Sequence, residues 1–443
     1  MFDSLLIANR GEIARRVNRT ARELGIRTIA VYSEADADLP HVTEASEAVL
    51  LGPADPASSY LNTEAILAAA KNTGAQAIHP GYGFLSEKPG FARDVTEAGI
   101  AWIGPSPEAI DAMGDKVNAR NLMSANDVPV APGGGDPVTD ATAALAVAES
   151  IGFPVMVKAA AGGGGMGMAI AEDAKALEEQ AEKIHGFATR LFGSGDLLIE
   201  RYFPRVRHIE VQILGLPDGR VLALGERECS VQRRHQKLVE ETPSPALTDA
   251  TRARLLEASS RAGEAVNYVG AGTVEYLFDV DSGEFFFLEM NTRLQVEHPI
   301  TEAVLGIDLV EAQLRVAAGE ELGFSDPKPS GHAIELRVNA EDPKRFLPGP
   351  GTIDTWVEPT GEGVRVDAGY QAGHTVPRFY DSLMAKVIVH GADRAQAIER
   401  AKRAVDGFTI TGPKSNLAFH AELLDNPEFN SGDYDTGIVG RMR

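Results

Sequence analysis

The chain has 443 residues, 64 of them acidic against 42 basic for a formal net charge of −22, with 44% hydrophobic and 24% charged side chains. That length buries a large core and divides into two or three domains, while the acidic balance excludes nonspecific attachment to nucleic acid or an anionic membrane and makes any phosphate site local. No apolar run is long enough to span a bilayer, no secretion segment opens the chain, and the single Cys229 excludes an intramolecular disulfide and a cysteine-rich zinc site, so a cytoplasmic protein is expected.

Leu5-Leu6-Ile7-Ala8 reads as a buried strand, followed by the turn Asn9-Arg10-Gly11-Glu12, a helical pattern over 13–24 and a second strand over 26–32. This is a βαβ opening. A helix over 63–71 precedes a short strand at 75–78, which runs into His79-Pro80 and the turn Gly81-Tyr82-Gly83-Phe84, a strand-end position that suits a ligand contact. Strand 100–103 ends at Gly104-Pro105, a helical stretch follows over 107–126, and Pro132-Gly133-Gly134-Gly135 breaks the pattern. The spacing predicts an N-terminal domain over 1–103 and a helical linker over 104–129.

Residues 130–203 read as a compact α/β unit the size of a lid, with strands at 155–158 and 197–200. In it Lys158 stands at a strand end before Gly162-Gly163-Gly164-Gly165, whose bare backbone amides can wrap phosphate oxygens beside the lysine charge. It is not a Walker sequence, which places lysine after the glycines. The block 204–443 is the largest and holds the cluster Glu226-Arg227-Glu228-Cys229-Ser230-Val231-Gln232-Arg233-Arg234-His235-Gln236-Lys237. Cys229 reads as a small buried packing residue.

The most informative stretch follows. Run extended, Glu289-Met290-Asn291-Thr292-Arg293-Leu294-Gln295-Val296-Glu297 puts Glu289, Asn291, Arg293, Gln295 and Glu297 on one side. Upstream, the apolar run 273–278 carries Glu275, and a hairpin turn at Asp281-Ser282-Gly283 sets Glu275 opposite Glu289. Two carboxylates side by side raise each other's pKa unless a cation lies between them, and hard oxygen ligands favour Mg2+ or Mn2+. Metal carboxylates beside Arg293 suit a small anion activated by a nucleotide phosphate. A solvated edge strand is the plainer alternative.

Together these residues resemble the biotin carboxylase branch of the ATP-grasp superfamily, from Ile7-Ala8-Asn9-Arg10-Gly11-Glu12-Ile13-Ala14 to Phe379-Tyr380-Asp381-Ser382-Leu383. The most specific stretches are His79-Pro80-Gly81-Tyr82-Gly83-Phe84-Leu85-Ser86-Glu87, Gln232 to Lys237, and Glu289 to Pro299. The resemblance implies an α/β ATP-grasp fold with an N-terminal Rossmann-like α/β domain, a mobile lid and a large C-terminal α+β domain over 204–443. It implies that ATP and bicarbonate form carboxyphosphate, whose carboxyl group passes to a ureido nitrogen of carrier-bound biotin, with Mg2+ or Mn2+ as metal. This would be the first half-reaction of an acetyl- or propionyl-CoA type carboxylase.

Residue by residue, the resemblance makes Lys116, Lys158 and His208 phosphate contacts, with Gly163, Gly164 and Gly165 closing over the nucleotide. The backbone near Glu200, Arg201 and Phe203, with the side chains of Gln232 and His235, would meet the nucleoside. Glu275 and Glu289 would hold the metal with Asn291 nearby. Lys237, Arg293, Gln295 and the Val296 backbone would form the bicarbonate pocket, Glu297 the base, Arg337 the group that stabilises the biotin enolate, and Tyr82 and Gly83 the biotin ring contact.

One departure stands out. The family usually places a basic residue directly after the four glycines and another after the next Gly-Met, where this chain has Met166 and Ala169. ATP chemistry with altered lid closure or nucleotide affinity is the expectation. The chain has no Met-Lys-Met of the kind that carries biotin and shows no carboxyltransferase domain, so the expected partners are a separate biotin carboxyl carrier protein or domain and a carboxyltransferase subunit, with a homodimer in line with the family. Two other readings are another ATP-grasp ligase joining a carboxylate to an amine, which the cluster Gln232 to Lys237 and Arg337 argue against, and a noncatalytic nucleotide-binding partner, which Glu297, Lys237 and Arg337 argue against.

Overall fold

In the computed structural model, which describes residues 1–133, 135–161, 167–325 and 327–443, the opening βαβ pattern grows into a five-stranded parallel sheet. Its strand order is Glu47–Gly52, Arg27–Ser33, Ser4–Ile7, Ala77–His79, Ala101–Trp102. Ser4–Ile7 is buried throughout, as a central strand covered by helices on both faces must be. The chain first builds outward from it on one side and then returns on the other, so the switch point lies between Ser4–Ile7 and Ala77–His79. There Asn9 Nδ2 donates to the Pro80 carbonyl at 2.7 Å and the Tyr82 carbonyl at 2.8 Å, clamping the glycine turn. Gly81 has φ +63°, and a Cβ on it would come within 2.9 Å of Asn9 Nδ2, so the turn needs glycine.

The single helix expected over 107–126 is two helices, Pro107–Gly114 and Lys116–Ala125. Asp115 between them is extended, and its carboxylate accepts from the Asn118 amide at 2.8 Å, so a good N-cap outcompetes continuation and leaves Lys116 in the first turn.

Residues of the expected lid form a three-stranded antiparallel sheet, Met168–Ala171, Val155–Ala159 and Leu197–Arg201. Helices Ala141–Ile151 and Ala174–Phe192 cover it through a small core of its own that includes Val157, Ile199, Ala148 and Leu177.

The largest element is an eight-stranded antiparallel sheet in the order Phe285–Asn291, Gly270–Asp279, Val206–Gly215, Val221–Arg233, Gln236–Thr242, His332–Asn339, Leu383–Gly391, Val364–Ala368. Alternation sorts its residues. Ile209, Val211, Val274 and Tyr276 join one apolar cluster, and Val239, Ile334, Leu336 and Val338 join another. Burying each such aliphatic side chain stabilises the sheet by about 1.5–3 kcal/mol. The alternate positions, His208, Glu210, Gln212, Thr273, Glu275, Glu240, Glu335 and Arg337, are polar or charged, so the opposite face of this sheet is a buried charged surface. Among the described residues, no helix is long and apolar enough to cross a membrane.

Candidate active site

Lys237 enters the charged face from strand Gln236–Thr242, and its ammonium meets three carboxylates: Glu275 at 2.8 Å, Glu297 at 2.7 Å and Glu210. Behind it Arg227, wholly buried, bonds Glu210, Gln212, Thr273 and Thr301. On the far side of Glu297, Arg337 donates from Nε to Glu240 at 2.7 Å and from Nη2 to Glu297 at 3.0 Å. Glu335, its neighbour on the strand, is not its partner.

Burial alone would push the Glu297 pKa up, but Lys237, Arg337 and Arg227 hold it well below the usual carboxylate range. Glu297 is therefore ionised and able to accept a proton. For Glu240 burial wins over Arg337, and its pKa rises to about 7. Removing one partner from so dry a network leaves an uncompensated charge, at a cost of about 3–5 kcal/mol.

The hairpin register sets Glu275 opposite Glu289 and Thr273 opposite Asn291. The two carboxylates do not raise each other symmetrically. Against burial, Lys237 and His208 hold Glu275 well down, and His208 Nε2 lies 2.9 Å from it. Glu289 is exposed, with no hydrogen-bond partner among the described residues, and the surrounding protein, then the charge of Glu275, lift its pKa. An open carboxylate across from a second one, with the Asn291 amide beside them, fits a hard divalent cation. His208, Glu210 and Glu275 also bring ligand atoms within 4.8 Å of one another.

The strand ends at Asn291, so period-two alternation does not run on to Glu297 as the extended reading expected. Leu294, wholly buried, turns into the core beneath the N-terminal sheet, and Pro299 opens helix His298–Leu305 with Glu297 at its N-cap. The polar residues still converge, because the loop curls around Arg293. Its guanidinium donates to Asn291 Oδ1 at 2.9 Å, Gln295 Oε1 at 3.0 Å and Glu87 Oε2 at 2.9 Å. Gln295 and Asn291 in turn donate to Glu275 at 3.0 and 2.9 Å.

Comparison with known proteins accords with this geometry. The family model "Biotin carboxylase, N-terminal domain" matches residues 1–110, "Carbamoyl-phosphate synthase L chain, ATP binding domain" matches 115–324, and "Biotin carboxylase C-terminal domain" matches 335–441. Biotin carboxylase 2 of Bacillus subtilis is 48% identical over 99% of both chains. A pyruvate carboxylase subunit from Methanothermobacter thermautotrophicus is 48% identical over 100% of this chain and 90% of its own. A crystal structure of the biotin carboxylase domain dimer of Hydrogenobacter thermophilus 2-oxoglutarate carboxylase, with MgADP, ADP and bicarbonate, superposes with a TM-score of 0.93 at 42% identity, covering 100% of this chain and 98% of that one. The chain belongs to the biotin carboxylase family. It is an ATP-dependent ligase that forms a carbon–nitrogen bond, with ATP, a divalent metal and biotin as its reaction requires.

Other positions expected from the biotin carboxylase resemblance are more dispersed. Lys116 begins helix Lys116–Ala125, and its charge lowers the pKa of Glu289. In the three-stranded unit Lys158 pairs with Glu200, and Arg201 donates to the Ile151 carbonyl at 2.8 Å. Phe203 stacks on Phe286 at 4.8 Å. Gln232 pairs in register with Lys237, whereas His235, with φ +67°, is at the exposed tip of that hairpin and away from the buried charges. The Tyr82 hydroxyl donates to Glu12, and Gly83 follows it with φ +69°. Gly163, Gly164, Gly165 and Met166 lie outside the described residues.

Sequence reasoning missed Glu210, Arg227, Glu240 and Glu87. The alternation His208-Ile209-Glu210-Val211-Gln212 carried the signal for Glu210. Glu87, which also accepts from the Thr292 amide at 3.2 Å, ties the glycine-turn motif to the Arg293 loop.

Proposed function

We propose that the charged face carries out bicarbonate activation and biotin carboxylation, with Glu297 held between Lys237 and Arg337 as the observation that supports this reading most. Bicarbonate lies against Arg293, Gln295, Lys237 and the Val296 backbone, and Glu297 takes its proton as its oxygen attacks the γ-phosphorus of ATP and ADP leaves. The carboxyl group of the resulting carboxyphosphate passes to the ureido nitrogen of biotin as inorganic phosphate leaves and takes up the proton that the nitrogen loses. Arg337 stabilises the enolate formed when that nitrogen loses its proton, and Tyr82 and Gly83 border the ring. Glu275 and Glu289, near Asn291, would hold a divalent cation, which would supply positive charge against the phosphates. Lys116, Lys158 and His208 bind the phosphates with the amides of Gly163, Gly164 and Gly165, and Glu200, Arg201, Phe203, Gln232 and His235 border the nucleoside.

The unit over 130–203 acts as lid between an N-terminal domain over 1–103, a helical linker over 104–129 and the remainder over 204–443. The protein works in the cytoplasm as a homodimer, with a biotin carboxyl carrier protein or domain and a carboxyltransferase subunit as its partners. As acceptor we propose an acyl-CoA of the acetyl- or propionyl-CoA type. The pyruvate carboxylase relative is as similar to this chain as Biotin carboxylase 2, so reconstitution with carrier and transferase, offering acetyl-CoA against pyruvate, decides it.

The test of the core reaction is phosphate release from ATP and Mg2+, with and without bicarbonate and free biotin. Release should need bicarbonate, rise with biotin, and fall about a thousandfold in Glu297→Ala. ATP turnover indifferent to bicarbonate would overturn the reading.

A further inference from the structure

Lys386 is wholly buried on strand Leu383–Gly391, in register with Arg337 on one side and Asp367 on the other. Its ammonium donates to the Val296 carbonyl at 2.8 Å and lies 3.1 Å from Glu12 Oε2. Glu12, in the first turn of helix Gly11–Glu23, accepts the Tyr82 hydroxyl with its other oxygen. One buried cation thus joins the loop that carries Arg293, Gln295 and Glu297 to the glycine turn at the switch point of the parallel sheet, across two separate sheets.

A buried ion pair adds little to stability compared with apolar side chains of the same volume, so packing alone does not account for it. Lys386 donates no hydrogen bond to Glu335, whose two buried oxygens have none, and acts on it only through its charge, which offsets part of the burial that lifts its pKa. What the pair does fix is position. A dry ammonium bonded to a backbone carbonyl allows that loop little freedom relative to Tyr82.

We propose that Lys386 and Glu12 are positioning residues that set the bicarbonate pocket at Val296 against the biotin face at Tyr82. This rests on the functional reading above. Neither residue touches either substrate, so the test is a cross-effect: the Michaelis constants for bicarbonate and for free biotin, each at saturating levels of the other substrates, in Glu12→Gln, Tyr82→Phe, Lys386→Met and Lys386→Arg.

Cutting the chain at the Tyr82 end, with Glu12→Gln or Tyr82→Phe, should raise the bicarbonate KM by about fivefold, and Lys386→Met should raise both constants by about tenfold. Lys386→Arg, which keeps a buried donor cation, should recover most of the loss. If Lys386→Met does not fold, the other three variants carry the test. A lower kcat with both Michaelis constants unchanged, in variants whose thermal midpoint drops, would mark a purely structural pair and overturn the proposal. The wild-type protein separates the two ideas: no bicarbonate- and biotin-dependent turnover there overturns the functional reading and this inference together, whereas an active wild type with unmoved constants in the variants overturns this inference alone.

Discussion

The three-stranded unit and the eight-stranded sheet each set a lysine against a glutamate, in different solvent. The Lys158 and Glu200 side chains keep 22% and 16% of their exposure, whereas Lys237 keeps 11% and its partners Glu210 and Glu297 none. A partly exposed pair is worth at most about 1 kcal/mol, so Lys158 can leave Glu200 for a phosphate at little cost. Lys237 has no such freedom. Its three carboxylates are arranged before any substrate arrives, which is how fixed charges lower a barrier without reorganising during the reaction. The contrast separates a part that exchanges partners from a part that is preorganised.

The largest expected effect follows from breaking the sealed half. Lys237→Met leaves Glu210, Glu275 and Glu297 facing one another, so biotin-dependent turnover should fall about a thousandfold and unfolding free energy by about 3–5 kcal/mol. Lys158→Met should instead raise the KM for ATP and leave the thermal midpoint within a few degrees. Equal losses of stability in the two variants, measured by thermal unfolding, would remove the distinction.

A second effect, smaller for each group, comes from protons. His79 in the parallel sheet, His41 beside it and His420 against the eight-stranded sheet are buried, and burial pulls the pKa of each down to about 4. Below pH 6.5 the unfolded chain takes up protons at these rings that the folded one refuses. Stability is thus full above pH 6.5 and declines as pH falls toward 4, by about 2 kcal/mol per histidine at pH 5. Hydrogen exchange followed from pH 7.5 to 5 should show protection falling first in strands Ser4–Ile7 and Leu383–Gly391. If the strands around Lys158 lose theirs first, the sealed regions are not the acid-sensitive ones.

How much of this was legible in the sequence depended on how local the cause was. The βαβ opening, the glycine turn and the Glu275 to Glu289 register all follow from short-range periodicity and turn chemistry, and the hairpin at Asp281-Ser282-Gly283 is as its residues dictate. The end of the strand at Asn291 was not legible, because it depends on Leu294 finding a core shared with distant residues such as Leu5, Ile7 and Ile13. Arg227 and Glu240 were illegible for a related reason. Their charge matters only once strands far apart in sequence, such as Gln236–Thr242 and His332–Asn339, are paired. Lys386 reads as one lysine in an apolar strand until Val296 and Glu12 are brought to it.

The smallest expected effect concerns the exchangeable half, where Met166 and Ala169 replace the cations usual in the family. Ala169 pairs with Val157 and packs at the margin of the three-stranded unit's own core, while Met168 and Ile170 on the other face are exposed. An arginine placed at 169 can therefore lay its aliphatic stem along that core and hold its guanidinium in water. One such exposed cation contributes about 0.5–1 kcal/mol toward a phosphate, so Ala169→Arg should lower the KM for ATP by about two- to fivefold and leave kcat unchanged. A gain of this origin must shrink with salt, since the ions of the solution screen an exposed charge. If the KM falls and the fall survives molar salt, the arginine has altered the packing of this unit and not its charge. If the KM does not move at all, ATP binding does not draw on a cation at 169, and the unit around Lys158 tolerates lost cations that the sheet around Lys237 could not.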